Sequence, residues 1–196
     1  MQIAFGTAWH MLFDRGRLRA GETVMINSVG SGIGSAAVQL AHLAGATVIG
    51  NASSDDKLAR ASELGMAHGI NHETQDVVAE VMRITDDRGV DLVYEHVGGT
   101  LFQVGLDSLD KDGRLVICGA HSGEVVPFDI IPFFRMQRSV IGSFCYTRAG
   151  VETCLELARR GKIVPLVHKT FPLDEAREAM LMMERREHFG KIVLKP

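Results

Sequence analysis

No apolar run in this chain of 196 residues nears the ~20 residues that a membrane-spanning helix needs, and Met1–Leu12 lacks the basic stretch that opens a secretory signal. Cysteine is scarce. Cys118, Cys145 and Cys154 show no paired spacing, which argues against a disulfide framework and for a reducing compartment, so a cytoplasmic location is expected. A basic excess is missing as well: with a formal net charge of −3 and a pI of about 6.2, neither nucleic acid nor an anionic membrane has electrostatic support as a partner. Internal repeats and low-complexity segments are also lacking. What the chain does have is 46% hydrophobic content, enough for one sizeable core with a small appendage.

That core is organised around Thr23–Gly34, TVMINSVGSGIG. Val24, Met25 and Ile26 form a short apolar run of the kind found in a central parallel strand covered on both faces. Gly30, Gly32 and Gly34 then remove side chains where the backbone must turn and approach a pyrophosphate. Ile33–Ala44 supplies a helix whose free N–H groups and positive dipole end would face that anion.

The rest of the chain repeats the alternation. Strands are expected at Thr47–Ala52, Gly69–Asn71, Val90–Val97, Arg114–Ala120 and Ser139–Cys145, and helices at Asp55–Leu64, Asp76–Ile84 and Thr100–Leu109. Met1–Arg19 reads as an amphipathic helix leading in. The pattern predicts an α/β fold: a doubly wound, six-stranded parallel sheet of Rossmann type with right-handed crossovers. Three regions follow, a lead-in helix over 1–20, a dinucleotide-binding domain over 21–147 and a C-terminal α+β extension over 148–196. In the last, a helix runs to Arg160, Leu166–Leu173 is extended, Asp174–Glu187 is helical and Lys191–Lys195 is a closing strand.

The end of the second strand discriminates among nucleotides. An NAD site carries Asp or Glu there for the ribose 2′-OH, whereas a 2′-phosphate needs small polar and basic groups. Here the chain reads Gly50-Asn-Ala-Ser-Ser-Asp-Asp-Lys, so Ser53 and Lys57 offer a hydroxyl and a cation, with Arg60 one turn further on. NADP is favoured over NAD. The alternative is that Ser54 caps the helix, Asp55 and Asp56 complement its dipole, and Lys57 and Arg60 are solvated.

Three glycine registers compete. Read from Gly30 as G-x-G-x-G, the turn resembles that of S-adenosylmethionine-dependent methyltransferases, which also want an acid at the second strand end. Read to its Ser-Gly-Ile-Gly end, it resembles short-chain dehydrogenases, which need Tyr and Lys four apart. Tyr94 and Tyr146 are followed at that spacing by Gly98 and Gly150. In the third register, Thr7-Ala-Trp-His-Met-Leu, Gly21-Glu-Thr-Val, Val29-Gly-Ser-Gly-Ile-Gly, Glu63-Leu-Gly-Met-Ala, Arg88-Gly-Val-Asp, Glu95-His-Val-Gly-Gly, Gly113-Arg-Leu-Val and Phe189-Gly-Lys-Ile-Val-Leu follow in order. This series resembles the medium-chain dehydrogenase/reductase superfamily of zinc-type alcohol dehydrogenases and quinone oxidoreductases. The likeness runs through essentially the whole chain and corresponds to the cofactor-binding C-terminal half. The family's chaperonin-10-like catalytic domain is not in the chain.

The resemblance implies hydride transfer between a nicotinamide and an alcohol, carbonyl or enone. Ser31, Gly32, Ile33 and Gly34 would hold the pyrophosphate, and Ser53, Lys57 and His72 the 2′-phosphate; His72 stands where quinone oxidoreductase relatives often carry Tyr. Val97, Gly119, Ala120, Phe144 and Cys145 would line the nicotinamide, with Thr7 approaching the same ring. Catalytic residues are unknown and belong mostly to the missing domain, on which the extension would normally pack, so the isolated chain is expected to be inactive. The alternative is a stand-alone, non-catalytic dinucleotide-binding domain. No zinc is expected, because Ile3 stands where the family's zinc enzymes place a cysteine ligand. His68 and His72 are separated by extended backbone, and His96, His121 and the run Met180, Met182, Met183 read as ordinary packing. A homodimer is expected through the uncharged strand 139–145, since chain order puts it at a sheet edge.

Overall fold

The computed structural model describes every residue, Met1–Pro196. Helix α1 (Gln2–Trp9) runs into a π-helical segment, His10–Arg15, before the first strand. The strands are β1 (Thr23–Ile26), β2 (Thr47–Ala52), β3 (His68–Asn71), β4 (Val90–Glu95), β5 (Leu109–Ile117) and β6 (Ser139–Gly142). Helices α2 (Gly32–Leu43), α3 (Asp55–Ser62), α4 (Val77–Ile84), α5 (Thr100–Asp107) and the short α6 (Ile130–Arg135) connect them. All neighbouring strands are parallel and their order is β3-β2-β1-β4-β5-β6, the doubly wound arrangement expected. The extension contributes α7 (Arg148–Arg159), α8 (Ala176–Glu184) and a separate two-stranded parallel sheet, β7 (Val167–Pro172) with β8 (Lys191–Lys195).

Two hydrophobic clusters, one per face, explain the unbroken apolar runs of the central strands. Val24, Ile26, Val48, Leu92, Tyr94 and Val116 turn to one face, where they meet residues of α1, α2 and α7. Met25, Ile49, Val93 and Leu115 turn to the other, against α4 and α5. Sandwiched between α2 and α7, α1 is buried from Ala4 to Ala8 instead of presenting the polar face its spacing suggested. Strand β5 starts earlier than expected, at Leu109, because its charged stretch Asp110–Asp112 is carried past an irregularity in the pairing with β4. Strand β6 is shorter than expected and lies at the edge, leaving Phe144 and Cys145 outside it.

Candidate functional site

The crevice lies beyond the carboxyl ends of β1, β2 and β4, where the strand order reverses. Three buried side chains that end apolar strands build its floor. The Asn51 amide donates to the Asn27 side-chain carbonyl, Asn27 donates to the Glu95 carboxylate, and Ser28 N–H donates to Asn51 Oδ1 at 3.2 Å. Glu95 also accepts from the backbone N–H groups of Val97 and, at 2.9 Å, Gly98. Burial pushes the Glu95 carboxyl above the usual range, against the downward pull of those hydrogen bonds. The carboxylate thereby shapes the loop after β4.

Ser31 caps α2 by accepting from Gly34 N–H at 2.9 Å, and its hydroxyl lies 3.2 Å from His96 Nε2. His96 is held down to about 4 by burial, with His121 adding to the effect. Any side chain at Gly34 would meet Ser28 O at 2.3 Å, so this glycine serves the close packing of the turn itself. The faces of Gly30 and Gly32 are covered by side chains instead: a Cβ at Gly30 would meet Lys57 Cδ at 3.0 Å, and one at Gly32 would meet Lys191 Cε at 2.4 Å. Two lysine stems thus lie over the turn.

Lys191 belongs to the C-terminal extension, which docks on the glycine turn. Gly190 N–H donates to Gly30 O at 2.9 Å, Phe189 packs under Gly30, and the half-buried Arg60 stacks on the Phe189 ring at 4.4 Å. The Lys57 ammonium donates to the carbonyl of Arg186, a residue in the left-handed region at φ 57°. Burial, followed by the Arg186 charge, lowers the Lys57 pKa, while Asp56 opposes the shift. Ser54 caps α3 through Lys57 N–H as the alternative reading had it, and the Lys57 side chain still turns into the crevice.

A cavity of about 850 Å³ unites Ser31, Ser53, Lys57, His72 and Val97 with Arg186 and His188. Gly32, Ile33 and Gly34 begin α2 at its edge. Gly119 and Ala120 pack against the loop after β4, a Cβ at Gly119 meeting His96 O at 2.6 Å. Thr7 is buried within α1, Phe144 is 87% exposed and Cys145 is exposed at φ 57°; none of the three lines this cavity. The sequence reading missed Arg186, His188, Lys191 and the Asn27–Asn51–Glu95 network. For the network the signal was a polar residue ending three apolar strands; for the others it was the basic run Arg185-Arg-Glu-His just before Phe189-Gly-Lys.

A dinucleotide fits these residues: the α2 N-terminus stands at the edge of the crevice, Lys57 and Lys191 flank it, and the buried Nδ1 atoms of His72 and His188 have no partner. No group of three or more His, Cys, Asp or Glu side chains converges anywhere in the chain. The family profile described as "Zinc-binding dehydrogenase" matches residues 32–160, well over half of the chain. The chain belongs to this family of medium-chain dehydrogenases and reductases. A 2-haloacrylate reductase of Burkholderia sp is 33% identical over 97% of the chain, which spans 60% of that relative's length. The crystal structure of an NAD-dependent alcohol dehydrogenase superposes with a TM-score of 0.94 at 34% identity, covering 100% of the chain and 57% of that protein. A 2-octenoyl-CoA carboxylase reductase, CinF, solved with NADP and 2-octenoyl-CoA, gives 0.89 at 25% identity, covering 99% and 48% respectively. The chain corresponds to the cofactor-binding half of these medium-chain dehydrogenases, as the resemblance implied, and the methyltransferase reading falls away.

Proposed function

We propose that the chain is the NADP(H)-binding part of a cytoplasmic medium-chain reductase or dehydrogenase acting on an alcohol, carbonyl or enone. The observation that carries this reading is the end of β2, where Ser53, Lys57 and His72 share a cavity with Arg186 and no carboxylate ends the strand. Lys57, Arg186 and Ser53 would bind the 2′-phosphate. The first turn of α2, Ser31 to Gly34, with Lys191 across Gly32, would hold the pyrophosphate. Val97, in the loop that Glu95 fixes, with Gly119 and Ala120 behind it, would orient the nicotinamide end, joined by Thr7, Phe144 and Cys145 once the rest of the enzyme is in place. When bound, the nicotinamide supplies or accepts the hydride.

The partner half would cover the apolar residues now exposed on the extension, among them Leu155, Val167, Leu173 and Met180, and exclude water from the crevice. The chain itself is proposed to hold no zinc, for want of a converging ligand set, and elemental analysis checks that. Calorimetric titration of the chain with NADPH and NADH tests the main reading. At least tenfold tighter binding of NADPH is expected, and equal affinities would overturn it.

A further inference from the structure

The 2′-phosphate end of the cavity holds more basic groups than a phosphate dianion needs, and two of them are imidazoles. His72 leaves the β3–α4 loop and His188 the segment before β8; both line the cavity with Lys57 and Arg186. The surrounding charges come from every neighbouring element. Lys57 and Asp56 stand on α3, Glu73 and Asp76 flank α4, Glu184 and Arg186 follow from α8, and His168 and Lys191 belong to β7 and β8. Glu73 is the closest carboxylate to His72, at 3.7 Å, and its side chain is largely solvated.

We propose that His72, with His188 beside it, reads the 2′-phosphate by taking up a proton as the cofactor binds, so that discrimination between NADPH and NADH strengthens as pH falls. This rests on the NADP(H) reading above. The geometry sets the direction. In the free chain burial keeps both imidazoles neutral. For His72 the Arg186 and Lys57 charges add to the effect against Glu73, and for His188 the Lys57, His168 and Lys191 charges add to it against a hydrogen bond to the Met182 backbone. Each Nδ1 is buried without a partner. A dianion entering among Lys57, Arg186 and the two rings reverses the sign of the local field and favours the imidazolium.

The sign follows from linkage. The free-chain pKa of His72 lies below 6.5 and binding raises it, so between the free and bound values a proton enters with the ligand. Within that window affinity rises as pH falls, by at most about tenfold per pH unit for each proton. Outside it the effect stops. A phosphate monoester has its second pKa near 6, so from pH 7 upward the ligand itself is almost fully dianionic and contributes little proton exchange.

The experiment is calorimetric titration of the 196-residue chain with NADPH and with NADH at pH 7.0 and 8.0, each in two buffers of different ionisation enthalpy. Proton uptake is expected with NADPH and none with NADH, together with a several-fold gain in the NADPH:NADH affinity ratio at pH 7.0. His72→Gln should remove most of the uptake while Lys57 and Arg186 keep a pH-independent preference for NADPH; His188→Gln should remove the remainder. NADPH preferred at both pH values with no uptake would overturn this inference and leave the NADP(H) reading standing. Equal binding of the two cofactors at both pH values would overturn both. Uptake that survives the double variant would also overturn it, by assigning the proton to another group.

Discussion

The two ends of the cavity are made of opposite materials. At the β4 end a single carboxylate, Glu95, is fully buried and accepts from Asn27, Val97 and Gly98, so every donor around it is satisfied inside the protein. At the β2 end Lys57, Arg186, His72 and His188 face one another with few carboxylates between them. The Glu95 network is satisfied without a ligand, and the one open atom beside it is the buried Nδ1 of His96. The other end sets two cations, Lys57 and Arg186, beside two imidazoles that burial keeps neutral, and the difference separates residues that hold the loops in place from residues proposed to bind a dianion.

The sharpest way to break this contrast is at Glu95. Glu95→Ala leaves the N–H groups of Val97 and Gly98 and the Asn27 amide buried without acceptors, and at about 1–3 kcal/mol for an orphaned group the expected loss is at least about 3 kcal/mol. Denaturant unfolding measures it. Glu95→Gln should cost less, about 1–3 kcal/mol: the amides of Asn27 and Asn51 can flip in turn, and the relay ends in one donor-to-donor contact between the Asn51 amide and Ser28 N–H.

Mutations at the other end should behave in reverse, leaving stability nearly unchanged and altering affinity. Lys57→Ala is expected to weaken NADPH by about 1–3 kcal/mol as a lost charge-assisted contact, with NADH little affected. Lys191→Ala should weaken both cofactors alike, since it lies over Gly32 and not near Ser53. Titration calorimetry on both variants gives the comparison, and an NADPH-specific loss for Lys191→Ala would break it.

A third region, the β6 edge, has no strand pairing on its outer side. Ser143 N–H donates to Ile117 O, so strand alternation turns Ser139 and Ile141 towards β5 and leaves the backbone groups of Val140 and Gly142 facing outward. Arg15 occupies the Gly142 carbonyl at 3.0 Å, and α6 buries none of its residues. A homodimer pairing two such edges is proposed, and Val140→Pro, which removes an outward N–H without touching β5, should convert it to monomer in sedimentation. Ile141 is the wrong probe because its side chain packs on the core. The smallest effect expected is for Arg60→Ala, about 0.5–1 kcal/mol of stability for the lost stack on Phe189.

The strands were legible where an apolar run met a turn signal, as at Val24–Ile26 and Thr47–Ala52, because burial on both faces permits little else. They were illegible where charge interrupted the run, as in Asp110–Asp112 of β5. Helix α6 was passed over although Asp129, which accepts from Ile131 N–H at 3.1 Å, is a plain capping signal. The π-helical turn at His10–Arg15 has no sequence code comparable to a cap or a glycine. In the site, Ser31, Ser53, Lys57, His72 and Val97 could be found because each follows a recognisable strand. Arg186 and Lys191 stand in a visible basic stretch, but its place over the glycine turn could not be read, because the contact that brings it there is between the backbones of Gly190 and Gly30, and a backbone hydrogen bond leaves no trace in residue type.

That bond also orders events in time. Gly30 leaves the ribosome about 160 residues ahead of Gly190, an interval of about 8–30 s at about 5–20 residues per second. Throughout it the glycine turn exists without Lys191 above it, without the Arg186 carbonyl to hold Lys57, and without Phe189 beneath it. The nascent chain can therefore form its sheet while the glycine turn is still half walled. The proposed pyrophosphate site is complete only once β8 has been made.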